Sequence, residues 1–179
     1  MILEFLYKIE NKIKLFYLRR KPNIHISNIK VGREPNFVFY DNLKIIKIGN
    51  NFSLRNYVQI IVQNNAQLQI GNNVFMNNYC SINTLESISI GDNTLFGEGV
   101  KLYDHNHNYD RTNNTLTVHH QKFNTSPIKI GNNCWLGSNV IILKGVNIGD
   151  NCIIGAGCTI TKDIPANTTV INNQNLIIK

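Results

Sequence analysis

A period of six governs this sequence. Ile130, Leu136, Ile142, Ile148, Ile154 and Ile160 follow one another at six-residue steps. The fourth residue after each is Cys134, Val140, Val146, Cys152, Cys158 and Ile164, all small or apolar. Gly131, Gly137, Gly149 and Gly155 follow the leading aliphatic directly, and an Ile-Gly-Asn/Asp-Asn run recurs at Ile48, Ile70, Ile90, Ile130 and Ile148. Six residues advance an α-helix by about 600°, which turns successive apolar residues to different sides. A strand keeps them together only if the chain turns a corner every six residues. Three such flats close one triangular coil, and each coil stacks on the last at the ~4.8 Å strand spacing. The aliphatic and the small residue both point inward, while Gly and Asn supply the corners. The chain is therefore expected to be a parallel β-solenoid, with no helical crossovers.

The first half is less regular. Ile48 to Ile70 spans 22 residues and Ile70 to Ile90 spans 20, so corners there carry small insertions. Between Leu102 and Ile128 the pattern stops, and residues 103–127 read as a loop thrown out of the coil. A long loop inside a compact repeat is usually functional. About five coils follow from the count, or six if residues 31–47 form an irregular first one. The expected division is an N-terminal helical segment, residues 1–30, and a β-helix domain, residues 31–179.

Within the first segment Ile2, Phe5, Leu6, Ile9, Ile13 and Phe16 fall on one helical face. Two readings stay open. The helix packs under the main domain, or it rests as a basic amphipathic helix on the inner face of the membrane. Residues 1–21 hold six cations against Glu4 and Glu10, a surplus of +4 within a formal net charge of +7. Such a surface favours anionic partners, but no nucleic-acid-binding pattern is present, so nucleic acid is not an expected partner. With 179 residues, 42% of them hydrophobic, the chain suffices for one domain with a core. No apolar run approaches the ~20 residues that span a bilayer. Charges interrupt the first twenty residues and no small-residue cleavage site follows them, unlike a signal peptide. The expected location is cytoplasmic, with the four cysteines reduced. Cys134 and Cys152 lie one coil apart and read as core filler, as does Cys158.

The repeat has the form Leu/Ile/Val-Gly-x-x-small-x. The run PIKIGNNCWLGSNVIILKGVNIGDNCIIGAGCTITKDIP, from Pro127 to Pro165, resembles the hexapeptide-repeat acyltransferase superfamily. Within it the run is most similar to the galactoside/maltose-type and polysaccharide O-acetyltransferases. The resemblance covers about residues 45–170. It implies an all-β fold, a left-handed parallel β-helix. The left hand rests on the resemblance alone, since parallel crossovers are usually right-handed. It also implies a homotrimer with active sites between subunits, acetyl-CoA as cosubstrate, and a sugar or saccharide acceptor. The implied reaction is acetyl transfer to a sugar hydroxyl in bacterial surface polysaccharide synthesis, of capsule or O-antigen. N-acetylation of an amino sugar and acetylation of an antibiotic are the enzymatic alternatives. A non-catalytic hexapeptide scaffold is the alternative of another class.

The family's base lies at the start of the extruded loop. Counting without gaps from Ile90 places it at His107, with His105 the near alternative. A sugar hydroxyl is a poor nucleophile until a base near neutral pKa takes its proton. The acceptor-positioning asparagine falls at Asn77. The acetyl-CoA positions fall at Trp135, Gly137, Ser138, Ala156, Thr161 and Lys162, with the oxyanion donor a backbone N–H near Gly137–Ser138 and Lys162 meeting a phosphate. Trp135 follows an inward position and should point outward. The family's Gly-x-Pro turn and basic tail after Lys-Asp-Ile-Pro are replaced here by NTTVINNQNLIIK. Four histidines crowd residues 105–120, but none lies in the coils after residue 127, so no zinc site is expected and no metal is required.

Overall fold

The computed structural model describes residues 2–173. A helix, α1 (Ile2–Leu18), precedes a parallel β-solenoid of about six turns with three flat faces. The first face stacks six short strands from Ile24–Ile26 to Asn147–Ile148. The second stacks seven, from Ile29–Val31 to Thr169–Val170, and the third six, from Asn36–Phe39 to Thr159–Ile160.

Vertical ladders of aliphatic side chains build the core. On the first face Ile26, Ile48, Ile70, Ile90, Ile130 and Ile148 stand in register. On the second, Leu54, Met76, Phe96, Leu136 and Ile154 do so. On the third, Ile60, Ile82, Leu102, Ile142 and Ile160 do so. Nearly all of these are fully buried, as are Cys80, Cys134, Cys152 and Cys158. Each buried Ile or Leu contributes roughly 1.5–3 kcal/mol relative to exposure. Two inward slots in every six residues, the leading aliphatic and the residue four later, are what the repeat encodes.

The Ile-Gly-Asn/Asp-Asn corner has a separate cause for each polar letter. A Cβ on Gly91 would stand 2.6 Å from the backbone of Gly131 in the next turn, so only glycine permits the rung spacing. The third residue accepts a backbone N–H from the turn before it: Asn72 from Asn50, Asn132 from Asp92. The fourth residue sits in the left-handed region, where asparagine is tolerated. Its amide bonds to the same residue one turn on, giving an unbroken ladder Asn51–Asn73–Asn93–Asn133–Asn151–Asn167 at 3.0–3.2 Å. Nine of the chain's 30 asparagines stand at this corner.

One boundary differs from the sequence expectation. The solenoid starts at Ile24, ahead of residue 31, because Ile24–Ile26 pairs with Ile46–Ile48. No Gly-Asn corner marks that first turn, so the repeat does not announce it. The 103–127 excursion leaves the coil as expected, and its chain is paired with itself. It is an antiparallel hairpin, His105–Thr112 against Thr115–Thr125, closed by Asn113 and Asn114 in the left-handed region. Two residues with positive φ are what a tight hairpin turn demands.

Candidate functional site

The hairpin leaves the corner between the third and first faces, and its root is fixed by Asp104. That carboxylate is fully buried and accepts the backbone N–H groups of Leu85, Glu86 and Ser87 at 2.8–3.1 Å. Asp104 Oδ1 also accepts from His105 Nδ1 at 3.2 Å. His105 is half-buried, with Tyr103 and Phe123 edge-on beside it.

His107 stands farther out and is exposed. Its ring packs on Phe123, 4.6 Å between centroids, and its Nδ1 lies 3.1 Å from the carbonyl oxygen of His119. A carbonyl only accepts, so Nδ1 carries the hydrogen, and in the neutral ring the lone pair falls on Nε2. His119 is itself held by Asp110 at 2.7 Å. His107 lines an open cavity of about 400 Å³ with Tyr109, Asp110, Asn124 and Lys144, and Lys144 donates to Asn124 at 2.9 Å. His105 does not line it.

The other expected residues divide between two corners. Thr161 and Lys162 follow the third-face strand Thr159–Ile160, on the corner column from which the hairpin springs, and both are exposed. Asn77, Gly137, Ser138 and Ala156 follow second-face strands, on the column between the second and third faces. The width of the third face, about five residues or roughly 17 Å of extended chain, separates the two columns. One chain therefore does not bring Asn77 and His107 together.

At the second–third corner the turns approach closely, since a Cβ on Gly137 would stand 2.6 Å from the Ala156 nitrogen. The Gly137 N–H donates to the Ile154 carbonyl at 2.7 Å. The Ser138 N–H, among the described residues, has no acceptor within the chain. Of the two donors expected near an oxyanion, Ser138 is thus the free one. Asn77 Oδ1 accepts from the Asn78 N–H at 2.9 Å, which leaves its amide nitrogen as a donor. A surface cavity of about 470 Å³ lies against Gly155, Ala156, Ile171 and Asn172, and beside it Gly157 leaves room with only Asn172 near.

Trp135 points outward, 53% exposed, in register between Leu95 and Ile153, which are also exposed. This is an apolar stripe on the outside of the second face, which the repeat signals only as three outward positions. Burial pushes the Cys80 thiol up to about 11 and raises that of Cys134, so these thiols are poor nucleophiles. Among the described residues no three His, Cys, Asp or Glu side chains converge as a metal site. Asp104 and the Lys144–Asn124 pair are features of the site that sequence reasoning missed. The polar root of an excursion was the available signal.

Comparison with known proteins gives the following. A family model described as the hexapeptide repeat of succinyl-transferase matches residues 127–162. The chain is 40% identical over 86 residues to galactoside O-acetyltransferase of Escherichia coli (strain K12), covering 45% of this chain and 38% of that one. It is 29% identical over 103 residues to a protein of the same strain whose name assigns it provisionally to lipopolysaccharide biosynthesis as an O-acetyl transferase. That overlap covers 55% of this chain and 53% of the other. The chain thus spans about half the length, or less, of these curated relatives. The crystal structure of a maltose O-acetyltransferase from Clostridium difficile 630 aligns at 30% identity with a TM-score of 0.54, covering 88% of this chain and 69% of that one.

Proposed function

The chain belongs to the hexapeptide-repeat acyltransferase family, and from that premise we propose that it moves the acetyl group of acetyl-CoA to a sugar hydroxyl. The observation that carries this reading is His107, whose Nδ1 is held by the His119 carbonyl and whose ring lines an open cavity on the hairpin. The family's left-handed winding is carried over with the same premise.

The chemistry follows from the geometry. The acceptor hydroxyl gives its proton to His107 Nε2 as its oxygen attacks the thioester carbonyl. The Ser138 N–H donates to the oxyanion that forms, a contact that strengthens as charge develops. Collapse breaks the carbon–sulfur bond, and the imidazolium returns its proton to the departing thiolate. Asn77 offers its amide N–H to an acceptor hydroxyl. Small residues at Gly137, Ala156 and Gly157 leave a groove for the pantetheine arm, with Trp135 as an apolar wall and Thr161 and Lys162 for the phosphate end.

Because Asn77 and His107 sit on different corners of one chain, a complete site requires a neighbour. A homotrimer, with the Leu95–Trp135–Ile153 stripe facing the next subunit, supplies it. The name of the lipopolysaccharide relative favours a surface polysaccharide, capsule or O-antigen, as the acceptor's destination and a cytoplasmic setting for the reaction.

The test is CoA-thiol release with a panel of soluble saccharide acceptors. His107→Ala is expected to lower turnover roughly 10²–10⁴-fold with CoA affinity nearly unchanged. His105→Ala should do much less, since its ring lies behind the cavity. If His105→Ala abolishes turnover and His107→Ala spares it, His105 is the base. If neither matters, the chain is a scaffold and the enzymatic reading fails.

A further inference from the structure

Helix α1 is attached by the wrong side for a packed amphipathic helix. Its contacts to the solenoid run through Tyr7, whose hydroxyl donates to Glu34, and Asn11, whose amide donates to the Gly32 carbonyl and which is buried. Leu15 is half-buried, and Leu18 reaches the core on the same side. Leu6, Ile9, Ile13, Phe16 and Tyr17 are all exposed, at 40–64%. At 3.6 residues per turn this second set lies about 180° around the helix from the first. An apolar stripe of five large side chains therefore points away from the protein. Ile2 and Phe5, assigned to the same face from the sequence, have side chains outside the described set.

We infer that α1 docks the protein on an anionic lipid surface, with this stripe lying in the plane of the membrane. The occupant is chosen by charge. Lys12 stands exposed on the flank of the stripe, and the Arg20 guanidinium lies over the Phe16 ring at 4.2 Å, inside it. Residues 1–21 carry six cations against two carboxylates. A second copy of the same helix would bring this surplus against itself, whereas anionic headgroups neutralise it. Apolar side chains flanked by cations are what an interfacial helix offers. Helix α1 has 17 residues, and among the described residues no helix is long and apolar enough to cross a membrane, so it lies on the surface. Arg19 does not take part, because its guanidinium is turned inward to the carbonyls of Ile26 and Ser27. Those bonds, with Asn11 and Tyr7, fasten the helix to the first turn and keep the stripe turned outward. The inference is independent of the acetyl-transfer reading.

The test is co-sedimentation of the full chain with vesicles of equimolar phosphatidylcholine and phosphatidylglycerol, against vesicles of phosphatidylcholine alone. Binding to the anionic vesicles is expected, weakening as salt is raised. The double variant Ile13→Ser, Phe16→Ser should lose at least about tenfold in vesicle affinity. Lys12→Glu should weaken binding at low salt and less at high salt. Neither variant touches the docked face, so circular dichroism and sedimentation coefficient should stay unchanged. Absence of binding to anionic vesicles overturns the proposal. A double variant that binds vesicles normally also overturns it. So does one that changes the subunit count, which would make the stripe a contact between copies. Turnover on a soluble acceptor is read in parallel. Its loss in wild type condemns the enzymatic reading and leaves the lipid result standing.

Discussion

At the scale of single residues, the cysteines show how the inward slot selects its occupants. Cys80, Cys134, Cys152 and Cys158 take the place of Val or Ala at buried corners, and the Cys80 Sγ lies 3.1 Å from the Gly97 carbonyl oxygen. Burial disfavours the thiolate, which is why Cys80 is pushed up to about 11 from an ordinary value of 9.0. The linkage sign follows. The unfolded chain releases the Cys80 proton at lower pH than the folded one, so stability is whole below the ordinary thiol range and falls as pH rises toward about 11. Urea denaturation midpoints should decline across that window, and Cys80→Ala should flatten the decline. A thiol-alkylating reagent at pH 8 should leave the native protein unlabelled and label it after unfolding. These cysteines were legible as core filler because they sit on the six-residue grid. The choice between His105 and His107 was not, since two loop histidines two apart carry no grid. It took the Asp104 contact on one and the His119 carbonyl on the other to separate an enclosed ring from an accessible one.

At the scale of elements, the second half of the solenoid was readable because every corner there is short. The first half was blurred by corners such as residues 63–66, which lengthen a turn without disturbing the ladders. The hairpin escaped reading for a different reason. Both of its faces are largely exposed, so no alternation of apolar and polar residues marks its strands. The docked side of α1 escaped as well, because periodicity reports an apolar face but not which face is used. Here polar contacts from Tyr7 and Asn11 decide the matter. The hairpin's position depends on Asp104, the one carboxylate among the described residues that is fully buried. In Asp104→Asn the amide oxygen can still accept the backbone N–H groups, but the NH₂ then takes the place of the oxygen that faces His105 Nδ1, and every bond loses its charged acceptor. The expected cost is about 1–3 kcal/mol of stability, read as a lower denaturation midpoint. Turnover should also fall, because the hairpin root carries the His107 strand. A midpoint equal to wild type would show that the three N–H groups find other acceptors.

At the scale of the whole molecule, the prism separates what the proposed chemistry must unite. Asn77 and Ser138 lie on one edge, and His107 and Lys162 on another, with the third face between them. No motion of a stacked solenoid closes that gap, because each turn is bonded to its neighbours along all three faces. The proposed trimer would close it, with the second–third edge of one subunit beside the hairpin of the next. Sedimentation should therefore report a trimer, and a stable, fully active monomer would exclude a shared site. The stronger test mixes two inactive variants. His107→Ala keeps a sound Asn77 edge, and Asn77→Ala keeps a sound hairpin. In a closed ring every mixed trimer contains one junction where a native hairpin meets a native Asn77 edge. Random mixing of equal amounts should then restore about a quarter of native turnover, provided subunits exchange by co-expression under distinct tags. If both residues served the same subunit's site, no junction would be native and mixing would restore nothing. Recovery near a quarter in the whole mixture, rising to about a third in the doubly tagged fraction, places the two residues on opposite sides of a subunit interface.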